Sequence, residues 1–167
     1  MIPGVKVISV VNSLRKIARS LEALTAPPGE RSEDIHGVGA VIKDDQGRIL
    51  MQDHVKGGFW TIPIGKAKIN QTPEDAVDME VWEETGLIID AKHLISRTPD
   101  RVKVYGEMVD ITVSIYAVDR YHGTLVNKEP EKHREMKFMS ISDIRALSSL
   151  SNNTKLFLDL SEKEGYQ

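Results

Sequence analysis

Glu80, Glu83 and Glu84 are the residues best able to do chemistry in this 167-residue chain. They stand at i, i+3 and i+4, a spacing that puts all three on one face of a helix, where like charges repel. The helix that carries them must end at once, at Thr85-Gly86, so they also meet the negative end of its dipole. Two local rules are broken together, and such breaks tend to mark functional sites. A divalent cation relieves both costs, and hard carboxylate oxygens suit Mg²⁺ or Mn²⁺. The ordinary alternative is a solvated acidic face, which an isolated E-x-x-E-E would favour. The neighbouring elements shift the balance away from it.

Those elements are well marked. Thr72 caps the helix, Pro73 suits its first turn, and Glu74 and Asp75 favour its positive end. The helix runs to about Glu84, and Gly86 supplies a left-handed stop. Before it, Trp60 to Ile64 reads as a short strand and Gly65 to Gln71 as a loop. Further upstream, Val38–Ile42, the turn Asp44-Asp45-Gln46-Gly47 and Arg48–Gln52 read as a hairpin. After the helix, Leu87–Ile89 starts a strand. Val102–Val118 holds two β-rich runs around a turn or bulge at Gly106-Glu107. His122-Gly123 is a turn and Lys137–Met139 a short strand. The chain from Ile141 is mostly helical, with a break near Ser151-Asn152-Asn153.

The first 30 residues stand apart. Val10, Leu14, Ile17, Leu21 and Leu24 recur at three- and four-residue steps, the mark of an amphipathic helix over about 7–24. Ala26-Pro27-Pro28-Gly29-Glu30 then reads as a stop and linker. This gives a helical extension with linker over 1–30, a domain over 31–162 and a frayed tail over 163–167. The helix is read as packing on its own domain; its stripe also fits a contact between two copies of the chain, a homodimer. It lacks the apolar core and cleavage site of a signal peptide.

Composition narrows the function. A net charge of −3 offers no global basic footprint for nucleic acid. With no cysteine, disulfides and Cys-zinc sites are excluded. No apolar run approaches a membrane span, and a cytoplasmic location is expected. Hydrophobic residues at 40% allow a sizeable core for one domain.

The segment from Gly65 to Leu87 resembles the Nudix box, G-x5-E-x7-R-E-U-x-E-E-x-G-U, with U a bulky aliphatic residue. Gly65, Glu80, Val81, Glu83, Glu84, Gly86 and Leu87 match at the right spacing. Gly58-Phe59-Trp60-Thr61-Ile62-Pro63 looks like the family's approach strand, and Lys137–Ile144 like its late strand-to-helix segment. There are three departures. Gln71 and Met79 stand where the pattern has Glu and Arg, a pair expected to lie close and orient the metal-binding glutamates. Ile64 stands where glycine is usual.

The resemblance implies an α/β/α sandwich with a mixed sheet, to which the first helix is an addition. It implies metal-dependent hydrolysis of a nucleoside diphosphate linked to another group: a nucleoside triphosphate, a dinucleoside polyphosphate or an ADP-ribose-like compound. Mg²⁺ or Mn²⁺ would sit on Glu80 and Glu84. Glu83 is a further ligand or the base that handles the water proton, so Glu80 and Glu83 are the catalytic candidates. The Ile64 carbonyl is a backbone ligand, and a late-loop acid from Glu129, Glu131 and Glu135 an additional one, with Glu131 and Glu135 favoured. Lys66 and Lys68 are candidates for phosphate contact. Trp60, with Phe59, is a candidate for stacking on the base, and Tyr105 stands about where relatives acting on diadenosine polyphosphates carry a tyrosine, although packing is the ordinary role of each. Trp82 is read as packing, and the five histidines, which show no metal spacing, mostly as surface residues. No nucleic acid partner is expected other than a capped RNA end. The rival reading is a nucleotide-binding or regulatory protein on the same fold with weakened catalysis, motivated by Gln71 and Met79.

Overall fold

The computed structural model describes residues 36–68, 70–104 and 107–163. The N-terminal helix and linker, Tyr105 and the last four residues therefore lie outside the described part. In chain order the elements are β1 (His36–Ile42), β2 (Ile49–His54), β3 (Phe59–Thr61), β4 (Ile64–Lys66), α1 (Pro73–Thr85), β5 (Ile88–Val104), β6 (Glu107–His122), β7 (His133–Met139), α2 (Ile141–Arg145) and α3 (Asn152–Lys163). They form a four-stranded mixed sheet, β4-β1-β6-β5, and a three-stranded antiparallel sheet, β3-β2-β7. The expected α/β sandwich with a mixed sheet is what the chain adopts.

Strand alternation divides the core in two. Val38, Ala40 and Ile42 of β1 join Leu50, Tyr116 and the Ala76, Val77 and Val81 stripe of α1. Val41, Val113 and Ile115 point the other way, to Ile49, Met51, Ile62, Ile144 of α2 and Phe157 and Leu158 of α3. Helices thus cover both faces.

Three strand expectations need correction. The turn at Asp44–Gly47 forms as read, with Asp44 Oδ1 accepting from the N–H groups of Gln46 and Arg48. Yet β1 and β2 meet at a single bridge, Lys43–Ile49, and make no hairpin. Both edges of β1 are already occupied, by β4 and by the parallel β6. β2 therefore passes to the other sheet, between β3 and β7. Trp60–Ile64 is likewise two strands. β3 belongs to the small sheet and β4 to the large one, and the Ile62-Pro63 step crosses between them. That step is pinned: the Ala40 N–H donates to the Pro63 carbonyl at 2.9 Å, and Thr154 Oγ1 accepts from the Ile62 N–H at 3.0 Å. As a result Gly65 and Lys66 are strand, not loop.

The third correction is the long β5–β6 hairpin, whose register closes at Val104–Glu107. Residues 90–101 are mostly polar, with Leu94 and Ile95 adjacent rather than alternating, and contain Pro99, so they carry little strand signature. β5 is an edge strand, where a missing N–H is tolerated, and register shifts absorb the irregular pattern.

α1 is capped as its sequence dictates. Thr72 Oγ1 accepts from the Asp75 N–H at 3.1 Å, and Gly86 ends the helix at φ 73° with its N–H on the Trp82 carbonyl. The remaining end carbonyls are met from the loop after β6: Val126 N–H donates to Thr85 and Lys128 N–H to Glu84. The Lys128 ammonium donates to the Trp82 carbonyl at 3.0 Å and lies 3.5 Å over its ring. This cation offsets the negative end of the helix dipole. Trp82 is consequently an exposed platform for Lys128 rather than core packing, 47% exposed.

Gly86→Ala forces a Cβ into left-handed backbone, 3.2 Å from the Thr124 carbonyl. The expected loss is about 1–2 kcal/mol, read as a lower urea midpoint; an unchanged midpoint would contradict this account of the helix stop.

Candidate active site

Glu84 stands on the core-facing stripe of α1, one turn beyond Val81, and is only 3% exposed. Glu80 and Glu83 are half-buried beside it. The carboxylate of Glu84 meets an amide instead of an apolar partner: Gln52 Nε2 donates to its Oε2 at 3.0 Å. Its other oxygen is 3.8 Å from Nε2 of His133, which is buried on β7. Burial pushes the Glu84 carboxyl up to about 8, and the Glu80 charge pushes the same way, against the Gln52 hydrogen bond and Lys132.

Glu80 is fixed by a glycine. A Cβ at position 65 would overlap its Cγ and Cδ, so its chain lies directly over the β4 backbone. The Lys66 backbone N–H donates to its carboxylate, favouring the charged form. Burial, and next the Glu83 charge, outweigh this and raise its pKa. Ile64 precedes Gly65 on the same edge strand, paired with Gly39 of β1.

The late loop closes the far side. Lys132 Nζ bonds Glu129 Oε2 at 2.6 Å, and both act electrostatically on Glu80 and Glu84. The loop is tied by Asn127, whose side chain donates to the His133 carbonyl at 2.7 Å and accepts from the Glu129 N–H. Burial holds His133 down to about 4, helped by His54 and Lys132.

The structure therefore gathers Glu80, Glu83, Glu84 and the Ile64-Gly65 peptide. Of the three late-loop acids it brings Glu129 into their field. Glu131 is exposed and acts on His133, while Glu135 pairs with Lys137 on the outside of β7 at 3.0 Å. The side chains of Lys66 and Lys68 are exposed. Trp60 is half-buried against the Ile62–Phe157 core, with its backbone bonded to Ser149 and Ser151, so it packs rather than offering a free face. Gln71 folds back onto its own loop, accepting from the Lys68 N–H, and Met79 is exposed. Neither takes the place of the missing Glu/Arg pair.

Gln52 and His133 are the site residues that the sequence reading missed. Gln52 was legible: it follows Ile49, Leu50 and Met51 in an inward phase, where an apolar residue is the norm. His133 has no such signal, because its burial depends on how β7 is registered.

Among the described residues no three of His, Cys, Asp and Glu converge into a finished metal cage. Mg²⁺ does not require one, since it is often held by one or two carboxylates, water and substrate phosphates. The donor set fits that pattern: two buried or half-buried carboxylates whose charged forms are disfavoured, Glu84 by burial and by Glu80, lie beside a backbone with which Glu80 is in contact.

Comparison with known proteins places this arrangement. The model of the NUDIX domain matches residues 35–160. A MutT-like protein of Streptomyces ambofaciens is 35% identical over 42% of this chain and 47% of its own length. The chain thus spans about half of that relative. An 8-oxo-dGTP diphosphatase of Proteus vulgaris is 30% identical over 57% of this chain and 85% of its own. The crystal structure of a MutT NUDIX hydrolase from Burkholderia pseudomallei superposes with a TM-score of 0.66 at 24% identity, covering 75% of this chain and 95% of that one. At that identity the structural likeness speaks for the fold, and the domain match speaks for the lineage. Its box glutamates, its sheet crossing and its domain match agree: this chain belongs to the NUDIX domain family.

Proposed function

We propose that the protein hydrolyses a phosphoanhydride bond in a nucleoside diphosphate linked to another group, and that it uses Mg²⁺ or Mn²⁺. The observation that carries this reading is the burial of Glu84 together with the raised pKa of both Glu80 and Glu84. Two carboxylates held close in a poorly solvated place are stable as charges only with a cation between or beside them. Glu80, Glu84 and the Ile64 carbonyl are the groups that would hold it. A bound divalent ion there would neutralise the diphosphate and help activate water.

The chain's own residues supply the rest. Gly65 keeps the β4 backbone open so that Glu80 can lie against it. Glu83, less buried than Glu84, would take the proton of an attacking water. The exposed ammonium groups of Lys66 and Lys68 stand on the same strand and loop, where phosphate oxygens would arrive. Glu129 is the late-loop acid this site would use, with Lys132 holding it.

Among substrates, a nucleoside triphosphate is favoured, since the diphosphatase from Proteus matches over most of its own length. The second reading, a nucleotide binder with weakened catalysis, draws on Gln71 and Met79, neither of which supports Glu80 here. A panel of nucleoside triphosphates, ADP-ribose, NADH, dinucleoside polyphosphates and capped RNA, assayed for phosphate release with and without Mn²⁺, separates the two. Metal-dependent turnover is expected on at least one compound. Removal of a direct ligand by Glu84→Gln should cost at least the roughly 10–100-fold typical of changes around metal ligands. No turnover on any compound, with nucleotide binding retained, would favour the second reading.

A further prediction concerns pH in the metal-free protein. A carboxyl whose pKa rises on folding stabilises the fold fully at low pH. It withdraws that stability as the pH climbs through the folded value. With Glu84 raised to about 8, melting temperature in chelator should fall from about pH 5 to about pH 9. Glu84→Gln should flatten this slope, and Mn²⁺ should offset it. A wild-type slope equal to that of the variant would contradict the assigned burial of the charge.

A further inference from the structure

The β2–β7 ladder contains a register shift beside the site. Gln52 pairs with Met136, but two residues on His54 pairs with His133 instead of Arg134. The shift reverses the phase of β7. His133 takes the inward position near Glu84, and Arg134 turns out to a two-pronged bond with Asp53, at 2.9 Å for each contact. In an unshifted ladder the guanidinium of Arg134 would fall on the inward side with Gln52 and Met136. A fixed cation there would neutralise Glu84 and compete with any metal. Bulges are known to re-aim side chains in this manner next to active sites.

What the shift leaves on the inward side is costly to keep. Gln52 and His133 are 0% and 1% exposed. Gln52 Oε1 and His133 Nδ1 have no hydrogen-bond partner among the described residues. An apolar side chain at position 52 would continue the Leu50 phase without an unmet polar atom. The amide that stands there makes one hydrogen bond to a side-chain oxygen, to Glu84 Oε2 at 3.0 Å, with Met136 Sδ its other neighbour at 4.0 Å. His133 is braced from behind by the edge of His54, which stacks on Phe59.

We propose that Gln52 is a positioning residue for the site, anchoring Glu84 by Oε2 so that Oε1 stays available to a metal, and that the register shift keeps Arg134 from neutralising it. This rests on the metal-dependent reading given above. It supplies, from β2, the orientation that the pattern's Glu/Arg pair would supply from α1 and its loop. Unlike an arginine, an amide fixes the carboxylate without cancelling its charge.

The test is Mn²⁺ titration of the full chain, followed by the electron paramagnetic resonance of free ion. Gln52→Met, close in volume but without the donor, is expected to weaken Mn²⁺ binding about 10–100-fold. The same change made on Glu84→Gln is expected to add nothing, because the effect acts through that carboxylate. Gln52→Asn, which withdraws the amide by one methylene, serves by the same criterion if the first variant does not fold. Unchanged binding in a folded Gln52 variant, or an equal loss in both backgrounds, would overturn the inference while leaving the metal reading intact. A wild-type chain that binds no Mn²⁺ would overturn both.

Discussion

Burial of the Glu84 charge is the constraint around which the rest of the structure is arranged. A carboxylate removed from water loses far more than a single hydrogen bond returns. The helix nevertheless presents it on the same stripe as Ala76, Val77 and Val81, where leucine would pack at no cost. Its neighbours are a neutral amide and an imidazole that burial keeps from charging, so nothing bonded to it cancels the charge. Lys132, the ammonium that acts on it electrostatically, is bonded to Glu129. The site is thus short of positive charge by construction, and a divalent ion is the simplest group to supply it.

The two-sheet architecture sets the geometry of that deficit. β1 is saturated on both edges, which sends β2 into the second sheet and carries Gln52 beneath α1. The chain returns at Ile62-Pro63, and the return lays Gly65 under Glu80. One crossing therefore brings together a backbone edge, a helix face and a buried strand position that lie tens of residues apart in sequence. The C-terminal carbonyls of α1 are met by residues 126–128, so the loop that satisfies the helix end also delivers Glu129 and Lys132.

Much of this was legible in the sequence, for a physical reason in each case. Thr72, Pro73 and Gly86 act locally, so the limits of α1 could be read directly. The i, i+3, i+4 spacing of the glutamates needs only a helix. What could not be read depended on pairing at a distance. The supposed β1–β2 hairpin failed because its inner edge was taken by strands from elsewhere. Residues 90–101 look like loop, and become strand only because β6 templates them. The burial of His133 and the outward turn of Arg134 follow from one register shift that no local pattern encodes. Trp82, inside a helix, looked like core; it is exposed, and Lys128, 46 residues on, bonds to its carbonyl and lies over its ring.

Glu80 and Glu84, with the peptide at Ile64-Gly65, are the proposed cation site. The most direct measurement is anomalous scattering from crystals grown with Mn²⁺. A peak in contact with both carboxylates beside the β4 backbone is expected. A peak held by Glu83 and solvent alone, or no peak near α1 at saturating Mn²⁺, would contradict it.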